Sequence, residues 1–266
     1  ASLEWSTKPS NNSAIHLAAK RGQLNVVQAL LNKGASLTQQ NHAKKTPLAL
    51  AVGNSHWGVI HIVRKKISES NGSAIENNLS QQDRGLLDFI QALETQMESG
   101  SDDSIYRLIN VNRQYKQLLG YTTPMGEGLI HIAATRGYTQ SFNWLIRTSP
   151  SLLTQQNHAN KTPIELAAEY GQWHLVAAII KQHTSPTKGD PEHYGSALLH
   201  AIEAGETKIA LQLISAKASL KWRRKKNSAI HLAAKRGQLN VVQALLNKGA
   251  SLTQQNHAKK TPIELA

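Results

Sequence analysis

Histidine is the residue type here with the widest chemical capacity, because imidazole binds metals and exchanges protons near neutral pH, and the chain carries twelve. His42, His158 and His257 occupy matching hairpin tips, several structural units apart along the chain, too distant to share one ion. No clustered ligand set with metal spacing occurs. The absence of cysteine excludes disulfides, thiolate metal sites and a cysteine nucleophile, and suits a reducing compartment. Nucleophile-elbow, phosphate-loop, H-E-x-x-H, kinase and zinc-deaminase signatures are all missing. The carboxylate pair Asp102 and Asp103 opens a helix, where negative charge is favourable. These residues predict no catalysis, no metal and no cofactor.

Charge carries more information. A formal +13 is unevenly spread. The middle of the chain holds Glu69, Glu76, Asp83, Asp88, Glu94, Glu98, Asp102 and Asp103 against Arg84, Arg107, Arg113 and Lys116, and both flanks are basic. The run Lys221–Lys226, KWRRKK, sets Trp222 among cations. Tryptophan and arginine often dominate binding energy, so Trp222, Arg223, Arg224 and Lys225 are read as a partner-binding hot spot. Two other readings stand beside it. Trp222 folds back over the neighbouring unit on a merely solvated loop, or the run serves as a nuclear import signal.

The elements that position these residues come from repetition. Asn12 to Pro47 reappears unchanged at Asn227 to Pro262, and the interval from Ala14 to the equivalent position Pro47 is 33 residues. Such a period means stacked units. Ser13 to Lys20 carries Ile15, Leu17, Ala18 and Ala19 at helical spacing, and Leu24 to Asn32 carries Val26, Val27, Leu30 and Leu31. Gly22 and Gly34 end these helices, while Thr46 and Pro47 supply the N-cap and first position of the next.

The segments TPLALA, TPIELAAEYG and SAIHLAAKRG, followed by VVQALLNKGAS, resemble the ankyrin repeat over most of the chain. The resemblance implies an all-α solenoid of helix-turn-helix units with projecting hairpin loops. Further copies start near Gly128, Thr162, Ser196 and Ser228, with Trp57 and Trp173 at the place of Leu24 as expected core residues. The resemblance makes His16, His131 and His231 structural, bonded within their own and neighbouring turns. Residues 1–66 are expected to hold N-terminal repeats and 125–266 C-terminal repeats, truncated at the last unit. Between them, 67–124 is expected to be a degenerate, elongated repeat or a helical insertion, prone to local opening. It opens on LSQQD, followed by one helix with Leu86, Leu87, Ile90, Leu93 and Met97 and another with Ile105, Leu108, Ile109 and Tyr115. A first residue other than methionine and a last repeat without a polar cap suggest an excised piece.

Side chains that the repeat leaves free lie at the hairpin tips and before the glycine of each first helix, facing the concave side. The expected partner-binding set is therefore Lys20, Arg21, Arg136, Glu169, Tyr170, Lys235 and Arg236, together with the KWRRKK hairpin; Glu203 occupies another such position. The implied function is a non-catalytic, monomeric scaffold for a protein with an acidic surface. The near-identical copies and the Lys-, Asn- and Gln-rich surface also resemble ankyrin-rich effectors that intracellular bacteria deliver into host cytoplasm. Alternatives are a substrate-recruiting arm of a larger enzyme and a basic module for nucleic acid or anionic lipid. The apolar runs are too short to span a membrane, and the start shows no export signal.

Overall fold

The computed structural model describes residues 6–7, 11–69, 78–124, 126–182 and 190–266. The chain forms two compact units, Ala1–Leu129 and Ile130–Ala266.

In the first unit, strands β1 (Ser6–Thr7) and β2 (Asn12–Ser13) pair antiparallel. Helices α1 (Ala14–Lys20) and α2 (Leu24–Asn32) follow, then α3 (Pro47–Gly53) and α4 (Trp57–Glu69). Helix α1 packs on α3 and α2 on α4, so units stack by like helix on like helix. Ile15, Ala18, Ala19, Val27 and Leu31 are buried between them. Each fully buried Ile, Val or Leu contributes roughly 1.5–3 kcal/mol, and the alanines let the helices approach. Val26, expected on the apolar face, is exposed, because α2 buries itself through Val27 and Leu31 and Val26 lies one helical step round. Gly22 has φ +68°, and His56 occupies the place its Cβ would take, 2.6 Å away. The His56 Nε2–H donates to Lys20 O at 2.9 Å, which ties the second repeat to the end of the first.

Hairpins and helix starts are joined by one recurrent device. Ser13 Oγ donates to His16 Nδ1 at 2.7 Å, and His16 Nε2–H donates to the carbonyls of Gln39 (3.0 Å) and Lys45 (3.1 Å). His131 reaches Gln155 O at 3.0 Å, and His231 reaches Lys260 O at 3.2 Å. All three imidazoles are buried, in the structural role expected of them. Thr46 caps α3 by accepting from Ala49 N–H, with Pro47 at its first turn. Caps of this kind are worth about 1 kcal/mol each.

The middle segment contains α5 (Gln81–Ser99), α6 (Asp102–Val111) and a 3₁₀ helix, Arg113–Gly120. Leu86, Phe89, Ile90, Leu93 and Met97 bury one face of α5, and Ile105 and Ile109 that of α6; Leu87 and Leu108 are half-buried. Glu76 lies outside the described residues, as do the side chains of Arg113, Tyr115 and Lys116. Asp83, one of the acidic residues of the middle segment, is only 1% exposed. Its two oxygens accept from Thr46 Oγ (2.7 Å) and Ser80 Oγ (2.8 Å), so the carboxylate pins α5 to the start of α3. A second network joins α4 to α5. Arg64 donates to Glu94 (2.5 Å), to Gln91 (2.7 Å) and to Tyr121 (3.3 Å), and the buried Tyr121 hydroxyl donates to Glu94 at 2.5 Å. Burial opposes the Glu94 charge, but the bonds from Arg64 and Tyr121 outweigh it and hold the carboxyl below its ordinary range. Burial, reinforced by the bond to Glu94, drives the Tyr121 phenol well above its ordinary value. Trp57 lies edge-on to Tyr121, ring centres 5.8 Å apart. Trp57 and Trp173 are half-buried rather than core residues, since the first residue of a second helix sits at the rim of the stack.

The second unit runs α7 (Leu129–Arg136), α8 (Thr139–Thr148), a 3₁₀ helix (Pro150–Thr154), α9 (Pro163–Glu169) and α10 (Trp173–Gln182). It continues with α11 (Asp190–Ala204), α12 (Thr207–Ser215), α13 (Ala229–Lys235) and α14 (Leu239–Asn247), ending in a 3₁₀ turn, Ile263–Leu265. Helix α11 packs between α9 and α13, and α12 between α10 and α14. It begins at Asp190 instead of near Ser196, and Pro191 in its first turn is compatible with a helix start.

Burial holds His16, His61 and His200 below the ordinary imidazole value. Between their folded values and the unfolded value of about 6.5, the unfolded chain binds more protons, so this stability is complete above about pH 6.5 and lost as pH falls through the folded values. The melting temperature should be level from pH 8 to 7 and fall below about pH 6.5; a rise on acidification in thermal denaturation would contradict these assignments.

Candidate protein-binding surface

In the second unit, two hairpins overhang helices α9 and α11. In the first, Asn157 Oδ1 accepts from the N–H of Ala159 (3.0 Å) and Lys161 (2.9 Å), which fixes the tip. Lys161 Nζ then pairs with Glu169 at the end of α9, 2.5 Å away. In the second, Arg224 and Asn227 exchange backbone hydrogen bonds of 2.9 Å, and the turn residues Lys225 and Lys226 have φ of 47° and 70°. Two positive φ values mark a type I′ turn, in which asparagine and glycine fit better than lysine. Side-chain contacts hold the hairpin in this form. Arg224 Nε donates to Glu203, its NH1 donates to His200 Nε2 at 3.0 Å, and Lys225 Nζ lies 3.6 Å from the other Glu203 oxygen. Because arginine only donates, His200 accepts and is neutral here; burial and then the Arg224 charge lower its pKa. Glu203 is held below the usual carboxylate range, where burial is outweighed by the bond from Arg224.

Between the hairpins lies a groove of about 350 Å³ bordered by Lys161, Glu165, Glu169, His200, Trp222 and Arg224. Trp222 is 37% exposed and lies against α11, where a Cβ added to Gly195 would be 2.4 Å from the indole. Of the sequence-predicted residues, the groove gathers Glu169, Trp222, Arg223 and Arg224, and Lys225 joins through Glu203. Tyr170, next to Glu169, is 57% exposed. Lys235 and Arg236 are exposed at the end of α13 but do not border the groove. Arg136 lies 5.9 Å from the Tyr138 ring centre, also away from it. Lys20 and Arg21 are exposed in the first unit. Sequence reasoning missed Lys161 and His200, and it read Glu203 as a free position rather than the anchor of the hairpin. The signal for the latter was present, since Glu203 falls at the position before the helix-ending glycine that faces the hairpin.

Among the described residues, no group of three histidines or carboxylates could hold a metal ion, and no helix is long and apolar enough to cross a membrane. The candidate site lies on a scaffold of repeated helix pairs. A profile of the family described as "Ankyrin repeats (3 copies)" matches residues 3–71 and 176–256, more than half of the chain, which belongs to the ankyrin-repeat family. Similar proteins include mouse Synphilin-1, 29% identical over 148 residues that make up 53% of this chain and 15% of that protein. Mouse Rabankyrin-5 is 28% identical over 62% of this chain and 13% of its own length. The Caenorhabditis elegans ankyrin repeat and KH domain-containing protein mask-1 is 26% identical over 90% of this chain and 8% of its own. The chain thus spans a small fraction of the relatives it matches. Among solved structures, the human ASB11 ankyrin repeat domain has 16% identity and a TM-score of 0.43, covering 96% of this chain and 92% of that one. Membership of this family marks the chain as a protein–protein interaction module.

Proposed function

We propose that this chain is a non-catalytic scaffold that holds a protein partner with an acidic surface on the hairpin side of its repeats, and that it does so as a cytoplasmic monomer. The observation that carries the reading is the exposed aromatics: Trp222 borders a groove in which Lys161 and Arg224 are paired with Glu169 and Glu203, and Tyr170 follows Glu169 in the chain. Large aromatics at a partly desolvated site are the side chains that most often anchor partners. The remaining positive charge speeds encounter with an acidic surface. An effector role in a host cell rests on the near-identical copies and the Lys-, Asn- and Gln-rich surface. A second reading, the recruiting arm of a larger enzyme, is favoured by the match to the rice "Probable E3 ubiquitin-protein ligase XBOS33", 36% identical over 63 residues and 12% of its length.

The test is capture from nuclease-treated eukaryotic lysate at about 150 mM salt, comparing the chain with its Tyr170→Ala/Trp222→Ala form. One defined protein should be retained by the first and lost from the second. Recovery of material only when the nuclease is omitted, or only at lower salt, would replace this reading with the nucleic-acid one.

A further inference from the structure

Two adjacent arginines of one hairpin have different surroundings. Arg224 is neutralised by Glu203 and bonded to His200. Arg223 borders a second groove as well, an open one of about 720 Å³ between residues 219–223 and 248–254. Its cations are Lys221, Arg223 and Lys248, its apolar lining includes Leu220 with Ile230 and Leu245 beneath, and it contains neither aspartate nor glutamate. Arg223 is held at its rim, because NH1 lies 3.0 Å from each of the carbonyls of Leu220, Lys221 and Trp222. Among the described residues, no carboxylate pairs with Lys221, Arg223 or Lys248.

We propose that this groove is a subsite for an acidic peptide segment of the partner, with carboxylates on Lys221, Arg223 and Lys248 and an apolar side chain on Leu220. The inference rests on the protein-binding reading and supplies the chemistry of the segment recognised. Three cations around an apolar strip complement carboxylates that flank an apolar residue, and charge-assisted bonds to carboxylate are the strong ones. A nucleic acid fits less well, since none of the lining residues is aromatic and bases have nothing to stack on.

The chain carries its own control. Lys33 is the counterpart of Lys248 in the identical first copy, but Ser2-Leu3-Glu4-Trp5-Ser6 precedes that copy where Ser219-Leu220-Lys221-Trp222-Arg223 precedes the second. In this alignment, which places two more residues between the segment and the first copy, Lys8 among them, glutamate and serine stand where the second hairpin has Lys221 and Arg223. The experiment is fluorescence anisotropy of a labelled peptide with two glutamates on each side of one leucine, titrated with the full chain at about 150 mM salt. Lys221→Glu/Lys248→Glu should weaken binding by about tenfold or more, and Lys33→Glu should change it by less than about twofold. The proposal is overturned if the peptide does not bind, if the double variant binds unchanged, or if Lys33→Glu weakens binding equally, which would mean general electrostatics. Loss of lysate capture on changing Tyr170 and Trp222 would still stand in any of these cases, so the two readings fail separately.

Discussion

Replacing Glu94 by alanine should destabilise the middle of the first unit by about 2–4 kcal/mol, read as amide exchange in α5 and α6 faster by about two orders of magnitude. Glu94 is the acceptor on which Arg64 and the buried Tyr121 hydroxyl converge, at 2.5 Å each. Its removal leaves the phenol only the longer contact with His61 Nδ1, 3.3 Å away, and a half-buried guanidinium without its counter-charge. The figure lies below that for a fully buried pair, because Arg64 and Glu94 side chains keep 21% and 18% exposure and Arg64 retains Gln91. Glu94→Gln, which keeps the shape and one acceptor, should lose less. Exchange unchanged in both variants would mean that apolar contacts of Leu86, Ile90 and Ile105 alone hold this segment, and that the polar network is incidental. The result also bears on the expectation that residues 67–124 open locally, since faster exchange in Glu94→Ala would show that this network opposes opening.

What was legible in the sequence is what is local or periodic. The Ser13 to His16 bond spans three residues, and the caps at Thr46 and Thr162 are read from a Thr-Pro pair at each helix start. Intervals of 32 to 34 residues then place the copies near Gly128, Thr162, Ser196 and Ser228. Contacts of long and irregular separation were invisible. Tyr121 meets Arg64 across 57 residues and Glu94 across 27, in a segment that has lost the repeat's pattern. Asp83 entered the sequence only as one more negative charge, because its partner Thr46 lies 37 residues away. Even identity of sequence does not fix the environment. Leu24 and Leu239 are equivalent residues of the identical block, yet 43% and 76% exposed, because Leu24 lies against Gly58 of α4 and Leu239 meets no following helix among the described residues.

Gly195→Ala should detach the Lys221–Lys226 hairpin from α11 and with it dismantle the groove. A glycine inside a helix is ordinarily unfavourable, and alanine would be expected to stabilise the helix by roughly 0.5–1 kcal/mol. Here the added Cβ would lie 2.4 Å from Trp222 Cδ1 and 2.5 Å from the carbonyl oxygen of Ser219. An indole can swing away, but a backbone oxygen moves only with the chain that carries it. Overpacking of this kind costs about 1–3 kcal/mol, which outweighs the propensity gain. Because about 1.4 kcal/mol is tenfold in population, trypsin should cut the run of lysines and arginines at 221–226 about tenfold faster or more. Loss of Trp222 from its place would also reduce partner capture. Gly53→Ala provides the comparison, since a Cβ there meets nothing within 4 Å and the hairpin should stay as resistant as in the parent chain. If Gly195→Ala instead raised the melting temperature with cleavage unchanged, Trp222 would not rest on α11. The exposed indole would then be a freely solvated side chain, and the anchor of the proposed binding surface would have to be sought elsewhere on the repeats.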